Sequence, residues 1–330
     1  MHKPSAISIV IPTRNRLDSL NRALRSLSLQ TCAAAEIIIV DSSDEPLKKE
    51  QLGYDFQQLT IIHSKPSVCL QRNIGIEKSA SDFIFLCDDD VEIPENYLEI
   101  LSNHLQKNTA DTVVSGLVYE RRGNEWHYAE KRKSFLKLLF ASTFGLSVWT
   151  EINPEDFPKN AIVQKFVSRY LQKGNRIATS GWPIVISYSK PIFRTPIYSL
   201  MASLVRAEKI KPVLFETAFY ENGIGDNYDV LVGMSSDVAV ITDLKVLHHE
   251  DKINRVSNKI AYYYRIAALH FILLKHKRFT FSNVVFLTWS LVGNSILFLS
   301  KGDWKRFGLN LKLLAGIISG NNIYAKRNAK

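Results

Sequence analysis

The chain is predicted to be an α/β protein with a mostly parallel central sheet flanked by helices, followed by a helical C-terminal extension. Three observations predict this. Short, predominantly apolar runs, "AISIVI", "EIIIV", "LTII" and "DFIFLC", recur with helical patterns interspersed. Each run ends in polar or charged residues. A twenty-residue uncharged segment, 281–300, lies within a strongly basic C-terminal region. Strands that are apolar throughout belong in a sheet covered on both faces, and the helices between them supply the cover.

The first run, within "AISIVIPTRNR", reads as a buried strand closed by Pro12. Behind it Leu17, Leu20, Leu24 and Leu27 recur at helical spacing. "EIIIVDSSD", 36–44, is a second strand ending in carboxylates, and "LTIIHS", 59–64, is a third. "VCLQRNIGIEKSA" reads as a helix approached through "KPS", and "DFIFLCDDD" is the fourth strand. The middle is less regular: "ERRGNEWHYAEKRKSFLKLLF" is a basic connection that becomes a helix, and "VWTEINPEDFPKNAIV" is broken by prolines. Further on, "PVLFETAFYENGIGDNYDVLVGM" sets Phe215 and Phe219 before a glycine turn, acidic residues and a helix. "DVAVITDLKVLHHE" is a strand ending in paired histidines.

With 330 residues, 46% of them apolar and 11% aromatic, the chain can bury a core, which argues against disorder. Three cysteines without C-x-x-C spacing point to a reducing compartment and to no cysteine metal site. The net charge of +10 is concentrated: residues 245–330 hold 15 Lys or Arg against 3 acidic residues, and the remainder holds 27 against 29. Nucleic acid is disfavoured as a partner because the basic region also carries the apolar segment 281–300. That segment has Ser, Asn or Thr at seven positions, "KHKR" before it, "KGDWKR" after it, and Trp289 and Trp304 as anchors. A helix lying in an anionic membrane surface is the expectation, with a buried helical hairpin as the alternative. "ISIVI" is too short for a signal peptide, so none is expected.

In open α/β sheets ligands gather at the carboxyl ends of the strands, where Thr13–Asn15, Asp41–Asp44 and Asp88–Asp90 all fall. Adjacent carboxylates raise one another's cost of ionisation, and a hard divalent cation relieves it. If extended, Asp88 and Asp90 point the same way and can address one ion, or one ion and a ribose. Mg2+ keeps positions open for phosphate oxygens, so a diphosphate is the natural co-ligand. A solvated acidic turn capping the helix at "PENYLEI" is the competing reading. There is no P-loop, no G-x-G-x-x-G after a strand and no G-x-S-x-G elbow. His248 and His249 end a strand, which excludes a zincin but leaves either free to join a metal site.

"ISIVIPTRNR", "IIIVDSSD", "VCLQRNIGI" and "FIFLCDDDVEIPENYLE", in this order, resemble the nucleotide-binding half of glycosyltransferase family 2, whose members have a GT-A fold. The likeness covers about residues 5–105 and continues more weakly to "VLHHE". It implies a GT-A domain over 1–250, with a nucleotide-binding half to about 105 and an acceptor-side half over 106–250, then a basic, apolar helical region over 251–330. The implied activity is inverting transfer of a sugar from a nucleotide diphosphate sugar, with Mg2+ or Mn2+, to a glycan or lipid-linked acceptor in cell-surface polysaccharide synthesis. A cytoplasmic location, peripheral on the inner membrane, follows from the same likeness. Pro12, Thr13 and Arg14 would line the nucleotide pocket, Asp41 would address the base, and Arg72 would lie near the diphosphate. Asp88 and Asp90 would form the D-x-D pair with Asp89 between them against the nucleotide, and His248 or His249 would complete the metal site.

The family's catalytic base lies in a "G-E-D-x-D"-like stretch, here "GDNYD". Registered on Gly225, the base position falls on Asn227, whose amide cannot accept a proton, so the role passes to Asp226 or Asp229, with Asp226 favoured. Two other readings stand beside this one. Asn227 permits a non-catalytic GT-A subunit, and a nucleotidyltransferase would require a glycine-rich loop that "PTRNRLDS" lacks.

Overall fold

The computed structural model describes residues 6–129, 134–219, 223–250, 253 and 256–328. Part of the expected basic connection (130–133), residues 220–222 ahead of the glycine turn, and positions 251–252, where the C-terminal region is expected to begin, lie outside the described residues. The chain divides into two compact units, Met1–Tyr128 with Lys190–Arg255, and Ala129–Ser189 with Val256–Lys330.

In chain order the first unit opens with β1 (Ile7–Thr13), α1 (Leu17–Ser28), β2 (Glu36–Asp41), β3 (Leu59–His63) and α2 (Val68–Lys78). It continues with β4 (Phe83–Cys87), β5 (Val91–Glu92), α3 (Tyr97–Lys107), β6 (Val113–Arg122) and β7 (Glu125–His127). The second unit contributes α4 (Phe135–Phe144), β8 (Val148–Trp149), α5 (Ala161–Gln172), β9 (Arg176–Ile177) and β10 (Pro183–Val185). The first resumes with β11 (Ile192–Thr195), β12 (Ala202–Arg206), α6 (Ala207–Ile210), α7 (Asp226–Met234) and β13 (Val238–His248). Four helices close the second unit: α8 (Asn258–Lys275), α9 (Phe281–Ser300), α10 (Trp304–Ile318) and α11 (Ile323–Asn328).

The first unit is built on a ten-stranded sheet ordered β11-β13-β6-β12-β4-β1-β2-β3, with β5 paired to β13 and β7 to β6. β4, β1, β2 and β3 run parallel, as the four apolar runs predict. β12 lies antiparallel between β4 and β6, which makes the whole sheet mixed. The predicted helix behind β1 is α1, which buries Leu20, Ala23, Leu24 and Leu27. α2 starts at Ser67, whose hydroxyl accepts from the Leu70 N–H and so satisfies one of the helix's orphan donors.

Two close approaches position the site. A Cβ added to Gly75 would lie 2.3 Å from Val10 Cγ1, so α2 rests directly on β1. That seating carries Gln71 to the carboxyl edge, where its amide donates to the carbonyls of Thr13 (2.8 Å) and Val40 (2.7 Å) and satisfies two buried acceptors. On the other side of the sheet the buried Tyr97 hydroxyl donates to the Ala202 carbonyl (2.7 Å) and accepts from the Gly116 N–H (2.6 Å). The β13–β6 register shifts between Ile241 and Lys245, and beyond the shift His248 stands opposite Glu120. Such irregularities re-aim side chains near sites.

In the second unit a three-stranded sheet, β8-β10-β9, packs with α4 and α5 around Leu138, Val148, Val163, Val167 and Ile184. α9 and α10 form a helical hairpin joined through Lys301–Asp303. By length and composition α9 could cross a membrane, and 33% of its most apolar window is buried within the protein.

Candidate active site

The polar strand ends meet at one edge. Pro12 is buried opposite Val40, and the Thr13 hydroxyl donates to Asp89 Oδ2 at 2.7 Å. Arg14 is partly exposed and pairs with Asp44 at 3.5 Å. Asn15 adopts a left-handed backbone (φ 54°), a conformation asparagine tolerates. Its side chain donates to the Asp44 carboxylate (2.9 Å) and accepts from the Asp44 N–H (3.0 Å), latching the loop after β1 to the loop after β2. Asp41 is fully buried and accepts from the Ser43 and Leu47 N–H groups, each at 2.9 Å, and from the Ser43 hydroxyl. Burial raises the cost of its charge, but these bonds and His63 outweigh that cost and hold its pKa below the usual carboxylate range. The Asp41 carboxylate thus shapes the loop over residues 41–47.

The acidic triplet does not continue as a strand. Residues 89 and 90 form a turn, and the three carboxylates fan out to different partners. Asp88 meets Arg72 Nη2 at 2.6 Å. Asp89 faces inward, to Thr13 and to Arg16 Nη1 at 3.1 Å. Asp90 lies 3.4 Å from His248 Nε2 and 3.5 Å from Arg16 Nη1. Burial pushes Asp89 up to about 7, with Arg16 opposing and Asp90 adding to the rise. Arg16 and Arg72 are therefore what allow like charges to crowd here.

Arg72 is buried between two carboxylates, Asp88 and Asp226 (Nη1–Oδ2 2.5 Å), with the Phe215 ring 5.1 Å from its guanidinium carbon. Burial alone would lower its pKa; the two carboxylates more than reverse this and raise it. Burial pushes Asp226 up to about 6, against the pull of Arg72 and of the Asn227 N–H, which donates to it. Asn73 fixes the approach to this region, donating to the Phe215 carbonyl (2.8 Å) and accepting from the Phe215 N–H (2.7 Å). Asp226 and Asp229 both lie in the first turn of α7 and are both buried. The capping position itself belongs to Gly225, not to Asp226.

The two histidines separate. His248 faces Asp90, whereas His249 turns to Glu92 (3.0 Å) and packs its ring against the edge of Trp126. Glu120, His248 and Glu250 offer ligand atoms that all lie within 4.8 Å of one another. This carboxylate and imidazole set, with Asp90 3.4 Å from His248, fits a divalent cation such as Mn2+ or Mg2+. Sequence reasoning did not single out Glu120, Glu250 or Arg16. Arg16 stands in the "PTRNR" run already noted, but Glu120 joins the set only through its pairing with His248 past the β13 irregularity.

Residues 8–171 match the family model described as glycosyl transferase family 2. The chain is 33% identical over 133 residues to an uncharacterized glycosyltransferase, YwdF, of Bacillus subtilis (strain 168), covering 39% of this chain and 49% of the relative. It is 30% identical over 126 residues to the poly(ribitol-phosphate) beta-N-acetylglucosaminyltransferase TarP of Staphylococcus aureus (strain N315), covering 36% of this chain and 38% of the relative. The matches thus span half or less of these relatives' length. Among solved structures, GalNAc-T7 with UDP, GalNAc and Mn2+ shares the fold with a TM-score of 0.52 at 14% identity, over 82% of this chain and 48% of that one.

Proposed function

From the premise that the chain belongs to glycosyltransferase family 2 and has a GT-A fold, we propose an inverting transferase that moves a sugar from a nucleotide diphosphate sugar to an acceptor hydroxyl. The acceptor is a glycan or lipid-linked glycan, in cell-surface polysaccharide synthesis on the cytoplasmic face of the membrane. TarP, named for action on poly(ribitol-phosphate), supports a polymeric acceptor.

The observation that carries this reading is the line Asp88–Arg72–Asp226, which joins the acidic triplet to the start of α7 through one buried guanidinium. Asp226 is the base: its carboxylate takes the acceptor hydroxyl's proton as the oxygen attacks the anomeric carbon and the diphosphate departs. Its pKa of about 6 leaves it mostly ionised at neutral pH and still basic enough to receive a proton. Arg72 is a positioning residue, since its guanidinium already holds both carboxylates. Pro12, Thr13, Arg14 and the Asp41-ordered loop form the nucleotide side. Glu120, His248 and Glu250 would hold a divalent ion, with Asp90 beside His248, and that ion would supply positive charge against the leaving diphosphate.

The test is a screen of nucleotide sugars with Mn2+ on the purified full chain, reading nucleoside diphosphate release and sugar transfer. Asp226→Asn is expected to lose about 100-fold or more of kcat, the usual scale of a general base, while Asp229→Asn keeps most of it. If neither substitution slows transfer, the base assignment is wrong. One observation favours a second reading, a non-catalytic glycan-binding or scaffolding subunit: Asn227 stands at the family's base position with a buried amide oxygen. Calorimetry detecting no nucleotide sugar binding, with or without Mn2+, would select that reading instead.

A further inference from the structure

We propose that the α9–α10 hairpin is a docking face for an anionic phospholipid leaflet, with a groove that takes one acyl chain. The inference concerns the second unit alone and does not depend on which reaction the first unit performs.

α9 is inside-out for a helix in water. Its outer face carries Phe281, Val285, Trp289, Val292, Ile296 and Leu299, all exposed and spaced three or four residues apart. Phe281 is 80% exposed. Its inner face carries four polar residues that bond to the rest of the unit. Asn283 donates to the Thr179 carbonyl (2.8 Å), Ser290 accepts from the Trp182 indole N–H (3.0 Å), Asn294 donates to the Tyr262 hydroxyl (3.2 Å), and Ser295 accepts from Asn310 (2.8 Å). A surface helix bathed in water shows the reverse pattern. The apolar stripe continues on α10, where Trp304, Leu311 and Ile318 are exposed. Between the helices lies a groove of about 450 Å³ lined by Phe281, Val285, Trp289, Val292, Ile317 and Ile318. Among the described residues, Thr288 is the polar one that borders it.

Charge identifies the occupant. Lys275, Lys277 and Arg278 precede α9, and Lys301, Lys305, Arg306 and Lys312 follow it. From residue 256 to 330 the single acidic residue is Asp303, and its carboxylate caps α10 by accepting from the Arg306 N–H (3.0 Å). An apolar stripe with basic residues at both ends suits an anionic leaflet, while a second copy would oppose one basic rim to another. The inner-face bonds tie α9 to Trp182, Tyr262 and Asn310, so the helix lies on the leaflet as part of the unit and does not cross it alone.

The test is flotation of the full chain with phosphatidylcholine vesicles, with and without phosphatidylglycerol, followed by washes in high salt and in alkaline carbonate. Binding is expected only where phosphatidylglycerol is present, and carbonate should release it. Vesicles with brominated acyl chains should quench tryptophan fluorescence, and Trp289→Phe should reduce the quenching. Lys277→Glu with Arg278→Glu should raise the lipid needed for half-binding about tenfold or more, and Val285→Glu with Ile318→Glu should abolish binding without changing the circular dichroism. Retention through carbonate would overturn the proposal in favour of a span. Absence of vesicle binding together with self-association would overturn it in favour of a second copy, and absence of both would leave the face without a docking role. Nucleoside diphosphate release measured on the same samples separates the two readings, because vesicle binding by a chain that turns over no donor would sink the transferase proposal alone.

Discussion

Arg72 works on Asp226 in a direction that can be measured. Burial raises the Asp226 pKa and Arg72 lowers it, and the result stands at about 6. A base acts when deprotonated, so kcat/KM should rise with pH through about 6, whereas an unperturbed aspartate would place that limb near 4. Removing the guanidinium leaves the Asn227 N–H as the remaining group that opposes burial, so Arg72→Gln should move the acid limb to higher pH. A pH–rate profile checks this, and a limb that stays in place would mean Arg72 does not tune the base. For the metal side, Asp90→Ala should abolish Mn2+ dependence, read by titrating Mn2+ against donor turnover, because Asp90 faces His248 directly. How much of this was legible depended on distance along the chain. The triplet and "GDNYD" stand out in sequence as clustered carboxylates, but their connection through Arg72 joins residues 154 positions apart. No local pattern encodes that. The same holds for Asp89, which looks like its two neighbours in sequence and is distinguished by the bond it accepts from Thr13.

At the scale of elements, α2 is the piece that aligns the site. Gln71, Arg72 and Asn73 are consecutive, and they hold in turn the β1–β2 edge, the carboxylate pair and the Phe215 segment. Their positions depend on the contact between Gly75 and Val10. Gly75→Ala should therefore cost about 1–3 kcal/mol as overpacking, measured by chemical denaturation. Adding Val10→Ala removes the methyls that clash, so the double variant should be more stable than the sum of the two single losses, a coupling that distant sites do not show. The parallel strands β1 to β4 could be read from sequence because each is built on a short run of mostly apolar residues. β3 is the least buried of them and sits at the sheet edge. β12 resisted reading because five residues buried almost throughout carry no sign of strand direction, which its neighbours β4 and β6 decide.

For the whole molecule, the two compact units predict two separable responses. Hydrogen exchange with donor and Mn2+ should protect the loops at 13–16, 41–47 and 88–92, and anionic vesicles should protect α9 and α10. Donor-dependent protection of α9 comparable to that of the loops would contradict this separation. The basic tail and its apolar run were visible in composition, but which side of α9 faced outward was not, because seven small polar residues in twenty look the same whether they meet water or protein. The inward bonds of Asn283, Ser290, Asn294 and Ser295 bear on how the protein can be handled. Shortening the chain before α9 to gain solubility would strip partners from the Trp182 indole, the Tyr262 hydroxyl and the Thr179 carbonyl, exchanging a greasy exterior for unpaired interior groups. A soluble form is better reached by recolouring the outer stripe with charge and leaving the helix in place.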